Sequence, residues 1–107
     1  MDEKKEKWLE FERDMQYVVV VGEIAKALIK YRKEHNLTQS ELAEILEVNQ
    51  AMVAKLESGD YNPTFKKIFY ISWKLTNSSE FFVDVLKNIN LGIKRHSENS
   101  KKELKEM

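Results

Sequence analysis

The sequence has no cysteine, one proline and three glycines in 107 residues, and its 18 basic and 18 acidic side chains leave no net charge. Without cysteine there is no disulfide and no thiolate metal site. Neither a glycine-rich phosphate loop nor a His-Glu-x-x-His pattern occurs, which removes two common nucleotide and zinc signatures. No apolar run approaches the ~20 residues of a membrane span. The first fourteen residues carry four bases and six acids and are too charged for a signal peptide. These absences predict a cytoplasmic chain with no membrane partner, no cofactor and no metal. Catalysis also lacks a constellation: His35 and His96 are far apart, and Glu41, Glu44 and Glu47 read as one solvated helix face. His35, at a predicted helix end, is expected to interact with that helix C-terminus. Phosphate contacts dominate DNA affinity, so in a neutral chain any positive patch must come from arrangement within the fold.

What the sequence does contain is concentrated in Thr38 to Gly59, TQSELAEILEVNQAMVAKLESG. Thr38 with Glu41 three residues on forms a capping box. Leu42, Ala43 and Leu46 then fall on one helical face. The helix runs out at Glu47-Val48-Asn49, and Asn49 can cap a second helix whose inward face carries Val53 and Leu56. Gly59 closes that helix in the left-handed region. Two such short helices cannot bury themselves, so flanking helices must cover them.

Arg32, Thr38-Gln39, Glu41-Leu42-Ala43, Val48-Asn49-Gln50, Lys55-Leu56-Glu57-Ser58-Gly59 and Asn62-Pro63 together resemble the helix-turn-helix of the phage-repressor and Cro family, the XRE family, over residues 22–76. Two features depart from that pattern. Glu47 stands where the family commonly has glycine, and a left-handed Glu47 costs on the order of 1 kcal/mol. The start of the recognition helix, often polar, carries Ala51 and Met52.

The resemblance implies double-stranded DNA as partner. Gln50, Ala51 and Lys55 match positions that meet base edges. Gln50 can pair with adenine through both amide groups, and Lys55 can donate to guanine. Ala51 and Met52 are candidates for contact with a thymine methyl. Gln39 matches the position that grips phosphate through backbone N–H and side chain, and Asn62 does so from the other side. Thr38 and Asn49 join them as backbone candidates. Arg32 and Glu57 match a family ion pair that fixes the tilt of the recognition helix.

The flanks complete the expectation of an all-α, compact five-helix repressor-like DNA-binding domain with an N-terminal helical extension. Residues 1–15 form a charged arm with an apolar stripe of Trp8, Phe11 and Met15, suited to packing back on the domain or to a partner. Residues 16–92 form the domain. Tyr17 to Val21 is β-branched, but no partner strand is visible, so it reads as the start of the first helix. Ile24, Leu28 and Tyr31 mark that helix's core face, and Asn36 ends it. Thr64 caps a fourth helix with Phe65, Ile68, Ile71 and Leu75 inward. A fifth carries Phe81, Phe82, Val85, Leu86 and Ile89 and ends at Asn90 to Gly92. Residues 93–107 are polar and predict a disordered tail. Tyr70, Trp73, Phe81 and Phe82 are candidates for a homodimer interface. The functional expectation is a regulator that binds a palindromic operator as a dimer. The alternative is an antitoxin that represses its own operon and neutralises a toxin, since AKLESGDYNP also resembles antitoxins of host-inhibition-of-growth pairs. A third reading is an interaction module that has lost DNA binding.

Overall fold

The computed structural model describes residues 2–106. Five helices and no strand occur among them: α1 (Glu3–Glu34), α2 (Gln39–Leu46), α3 (Gln50–Ser58), α4 (Phe65–Thr76) and α5 (Glu80–Glu106). The all-α, five-helix expectation holds.

Local chemistry sets the joints. Asp2, Thr38, Asn49 and Thr64 cap α1 to α4, each accepting a bond from a first-turn N–H. At Thr38 both halves of the capping box form: Glu41 N–H donates to Thr38 Oγ1 at 3.1 Å, and Thr38 N–H donates to Glu41 Oε1 at 2.9 Å. The left-handed joints are Asn36 (φ 54°), Glu47 (φ 58°), Gly59 (φ 80°) and Asn77 (φ 53°). At Asn36 and Glu47 the following N–H reaches back to the last turn: Leu37 to the Arg32 carbonyl at 2.9 Å and Val48 to the Ala43 carbonyl at 3.0 Å. This pattern satisfies carbonyls that a helix end otherwise leaves open.

The core joins all five helices. Ile24, Leu28, Leu42, Ala43, Leu46, Val53, Leu56, Ile68, Ile71 and Val85 are its buried members. A fully buried Leu contributes about 1.5–3 kcal/mol, and Leu42→Ala here would also leave a cavity, for a loss of about 2–5 kcal/mol. Two polar side chains lock the far side. Buried Ser72 donates to the Ser78 carbonyl at 2.8 Å and accepts from Phe82 N–H at 3.1 Å, tying α4 to α5. Tyr31 donates to the Leu75 carbonyl at 3.0 Å, tying α1 to α4. His35 closes α1 by stacking on Tyr31, with Nδ1 2.8 Å from the Tyr31 carbonyl.

Several expectations fail. The charged arm and the first domain helix are one rod of 32 residues, about 48 Å at 1.5 Å per residue. Tyr17 to Val21 is the middle of that rod, not its start. The fifth helix does not end at Asn90 to Gly92; it runs on through 93–106, where composition predicts a disordered tail. Met107 lies outside the described residues. The physical reason is pairing: α1 and α5 lie antiparallel, and each gives the other a face. Gly92 marks their close approach, since a Cβ there would stand 2.9 Å from Val19 Cγ1. Trp8 and Met15 are half-buried, but Phe11 is 59% exposed and leaves the stripe. Phe65, placed inward from spacing, is 74% exposed because it is the first residue of α4 and lies beyond the core's edge. Leu86 is also largely exposed. The arm lengthens the molecule to 51 × 22 × 22 Å.

Candidate nucleic-acid interface

The left-handed Glu47 and the Asn49 cap set α3 at an angle to α2. Val53 and Leu56 anchor α3 on the core. Its outward face then carries Gln50, Ala51, Ala54, Lys55 and Ser58, all exposed. That face holds small or polar groups, one cation and no acid, so it can approach an anionic groove closely without repulsion. Ser40 Oγ donates to Gln50 Oε1 at 3.1 Å. This contact aims the carboxamide while leaving its NH₂ and one oxygen lone pair open. Met52 is different. It is half-buried against the core, and the Lys67 ammonium lies 3.6 Å from its sulfur. The structure therefore turns Met52 away from the exposed face that holds the other base-reading candidates.

The Arg32 and Glu57 side chains meet, at 19% and 6% exposure. Arg32 Nε donates to Glu57 Oε2 at 2.8 Å and Nη2 to Oε1 at 3.0 Å, a bidentate pair between α1 and α3. These bonds hold the Arg32 guanidinium's pKa above its ordinary value, against the opposing effect of burial. Arg32 Nη1 also donates to the Leu37 carbonyl at 3.2 Å. Gln39 Nε2 donates to Glu57 Oε1 at 3.3 Å, so α2 joins the same network. Gln39 is half-buried, and this bond uses one of its two amide hydrogens. The first turn of α2 also carries the exposed side chains of Ser40 and Glu41.

Thr38 and Asn49 spend their side-chain oxygens on caps, and the Asn49 NH₂ makes no hydrogen bond among the described residues. Asn62 is exposed in the loop after Gly59. Of the sequence-selected residues the structure brings Arg32, Glu57 and Gln39 together, while Gln50 meets Ser40, which the sequence did not single out. Asn62 and Lys55 make no side-chain hydrogen bond among the described residues.

One polar cluster escaped the sequence reading. In the α1–α5 arm, Glu12 is buried at 9% exposure. It accepts from Gln16 Nε2 at 3.3 Å and from Ser100 Oγ at 3.0 Å, and His96 Nε2 lies 3.0 Å away. Burial alone would raise the Glu12 pKa; the bonds from Gln16 and Ser100 and the nearby His96 outweigh it and lower the value. Glu12 with Gln16 and His96 with Ser100 each show helical i, i+4 spacing, but nothing in one sequence says that the two pairs face each other.

Comparison with known proteins agrees with the geometry. Residues 28–72 match a family model described as helix-turn-helix, which bears out the resemblance drawn from the motifs. Over 42 residues the chain is 43% identical to an uncharacterized HTH-type transcriptional regulator of Methanocaldococcus jannaschii. The alignment covers 39% of this chain and 64% of that protein, so the chain spans less than two thirds of its relative. No solved structure matches.

Proposed function

We propose, from the premise that residues 28–72 are a helix-turn-helix domain, that the chain is a sequence-specific DNA-binding transcriptional regulator acting as a dimer on a palindromic operator. The observation that carries this is the acid-free outward face of α3, held at a fixed tilt by the Arg32–Glu57 pair. In this reading Gln50 and Lys55 read base edges, with Ala51 on a thymine methyl, while Met52 serves packing. The first turn of α2, Asn49 and Asn62 position the backbone of the duplex. The dimer is supported by the fold's small reading surface: one recognition helix contacts too few base pairs for useful selectivity, and two span half-sites about 34 Å apart. Phe65, Phe69, Tyr70 and Trp73 form an exposed apolar surface on α4 suited to a partner of this kind.

The test is selection of bound duplexes from a random pool by the full chain. Recovery of two inverted half-sites about one helical turn apart supports the reading in one step. A pool that remains random after repeated selection refutes it. An enriched single half-site, with a monomer by sedimentation on and off DNA, retains base recognition and removes the dimer.

A further inference from the structure

Ser40 is the second residue of α2, and its hydroxyl meets Gln50, the first residue of α3, across the turn that joins the two helices. Its place in the helix leaves it no capping duty. Thr38 Oγ1 accepts from the Glu41 N–H and Glu41 Oε1 from the Thr38 N–H, so the start of α2 is closed without it. Among the described residues the Ser40 side chain bonds only to Gln50 Oε1, at 3.1 Å, and Gln50 has no other side-chain partner. Both residues are exposed, so water competes for the bond and its net contribution to stability is small. Its effect on orientation is larger. Turning a carboxamide over exchanges donor for acceptor. Adenine presents the N7 acceptor beside the N6 amino donor in the major groove, so a glutamine that pairs with both must hold its NH₂ and its oxygen in one order. An exposed glutamine with no partner takes either order. The Ser40 hydroxyl donates to the oxygen and so selects one. That hydroxyl carries one proton. Given to Gln50, it cannot also go to a phosphate oxygen, the common partner of a serine hydroxyl at a duplex.

We infer that Ser40 is a positioning residue: it orders the Gln50 carboxamide for the base edge, and its hydroxyl makes no hydrogen bond to the DNA backbone. The inference rests on the proposed role of α3 in reading bases and extends base discrimination to a side chain outside that helix. Two consequences separate it from a phosphate contact. A phosphate contact holds every duplex alike, whereas ordering Gln50 favours only the duplex whose base matches that order. Ser40 also acts through Gln50, so it is silent once the carboxamide is gone. The size of the effect follows from the freedom removed. Immobilising one flexible side chain at an interface costs about two- to tenfold in affinity, and Ser40 removes part of that freedom before DNA arrives.

The test is fluorescence anisotropy of the full chain on the duplex selected from the pool and on a random duplex of equal length, with the Tm of each variant measured alongside. Ser40→Ala should lose about two- to tenfold on the selected duplex, keep its affinity for the random one, and leave Tm and the salt dependence of binding unchanged. In a Gln50→Ala background the same substitution should have no further effect. Ser40→Thr keeps a hydroxyl and should retain the parent's selectivity. A uniform loss on both duplexes with a shallower salt dependence makes Ser40 a phosphate contact and overturns the proposal. So does a Ser40→Ala effect that persists in Gln50→Ala, or full selectivity in Ser40→Ala. Relaxation of the Gln50 side-chain NH₂ in the free chain, followed by NMR, needs no DNA. It should report a restrained amide in the parent and an averaged one in Ser40→Ala, and an averaged amide in both overturns the proposal. A chain that selects no duplex while its Gln50 amide is restrained fails the DNA reading itself and leaves Ser40 nothing to position. A chain that selects a duplex with Ser40→Ala equal to the parent fails this proposal alone.

Discussion

Replacing Glu57 by alanine removes the acceptor of three bonds at once, two from Arg32 and one from Gln39. Hydrogen bonds to charged groups contribute about 1.5–3 kcal/mol each, whereas an exposed ion pair contributes about 0–1 kcal/mol. Breaking a fully buried pair costs about 3–5 kcal/mol, mostly because the survivor is stranded. Here the survivor, Arg32, keeps the Leu37 carbonyl and reaches solvent at 19% exposure. Glu57→Ala should therefore fall between these limits, near 2 kcal/mol, or about 8–16 °C in Tm at ~4–8 °C per kcal/mol for a domain of this size. Arg32→Ala strands the other partner, a carboxylate at 6% exposure with only the Gln39 amide beside it. It should lower Tm further than Glu57→Ala does. The double mutant should lose less than the sum of the singles. Thermal and urea unfolding followed by circular dichroism measure all three. A Glu57→Ala Tm within about 2 °C of the parent, or an Arg32→Ala milder than Glu57→Ala, refutes the reasoning.

Gln50→Ala should cost about 1–3 kcal/mol on the preferred duplex and little on random DNA, read by fluorescence anisotropy; equal loss on both moves Gln50 to the backbone contacts. Glu47→Gly should stabilise by up to about 1 kcal/mol, since it relieves a left-handed side chain and gives up only the Lys74 contact of a carboxylate that is 77% exposed; a lower urea midpoint would contradict this. Glu12 has a folded pKa below its ordinary 4.5, so its stabilising contribution is complete above that value and is lost as pH falls through the depressed one. Glu12→Gln should therefore show a flatter decline of Tm between about pH 5 and pH 2 than the parent, and identical slopes would remove Glu12 from the acid response.

The helix-turn-helix was legible because its signals are local. Thr38 and Glu41 lie in one turn, and Asn49 caps the residues next to it. The Arg32–Glu57 pair came only through family resemblance, since 25 residues separate its members. Elsewhere the reading failed where a contact is long-range. Residues 93–106 look like a solvated tail until α1 is laid beside them. Glu12 looks like one more surface acid until His96 and Ser100 arrive from the other end of the chain. Phe65 failed differently: its spacing fits the inward stripe, but α4 begins beyond the edge of the core. Met52 shows the reverse case, since an apolar residue at the start of a reading helix can serve the protein's interior.

The antiparallel seating of α1 on α5 also has a consequence for synthesis. Ser100 follows Glu12 by 88 residues, and a ribosome adding ~5–20 residues per second takes roughly 4–18 s to cover that distance. During that interval the first half of α1 is complete and has no helix to lie against. Trp8, Met15 and Val19 face water or whatever else is near the tunnel exit. The dense run of Lys, Glu, Asp and Arg around them, which looked like mere surface in the finished fold, keeps this waiting segment in solution until its late-made partner emerges.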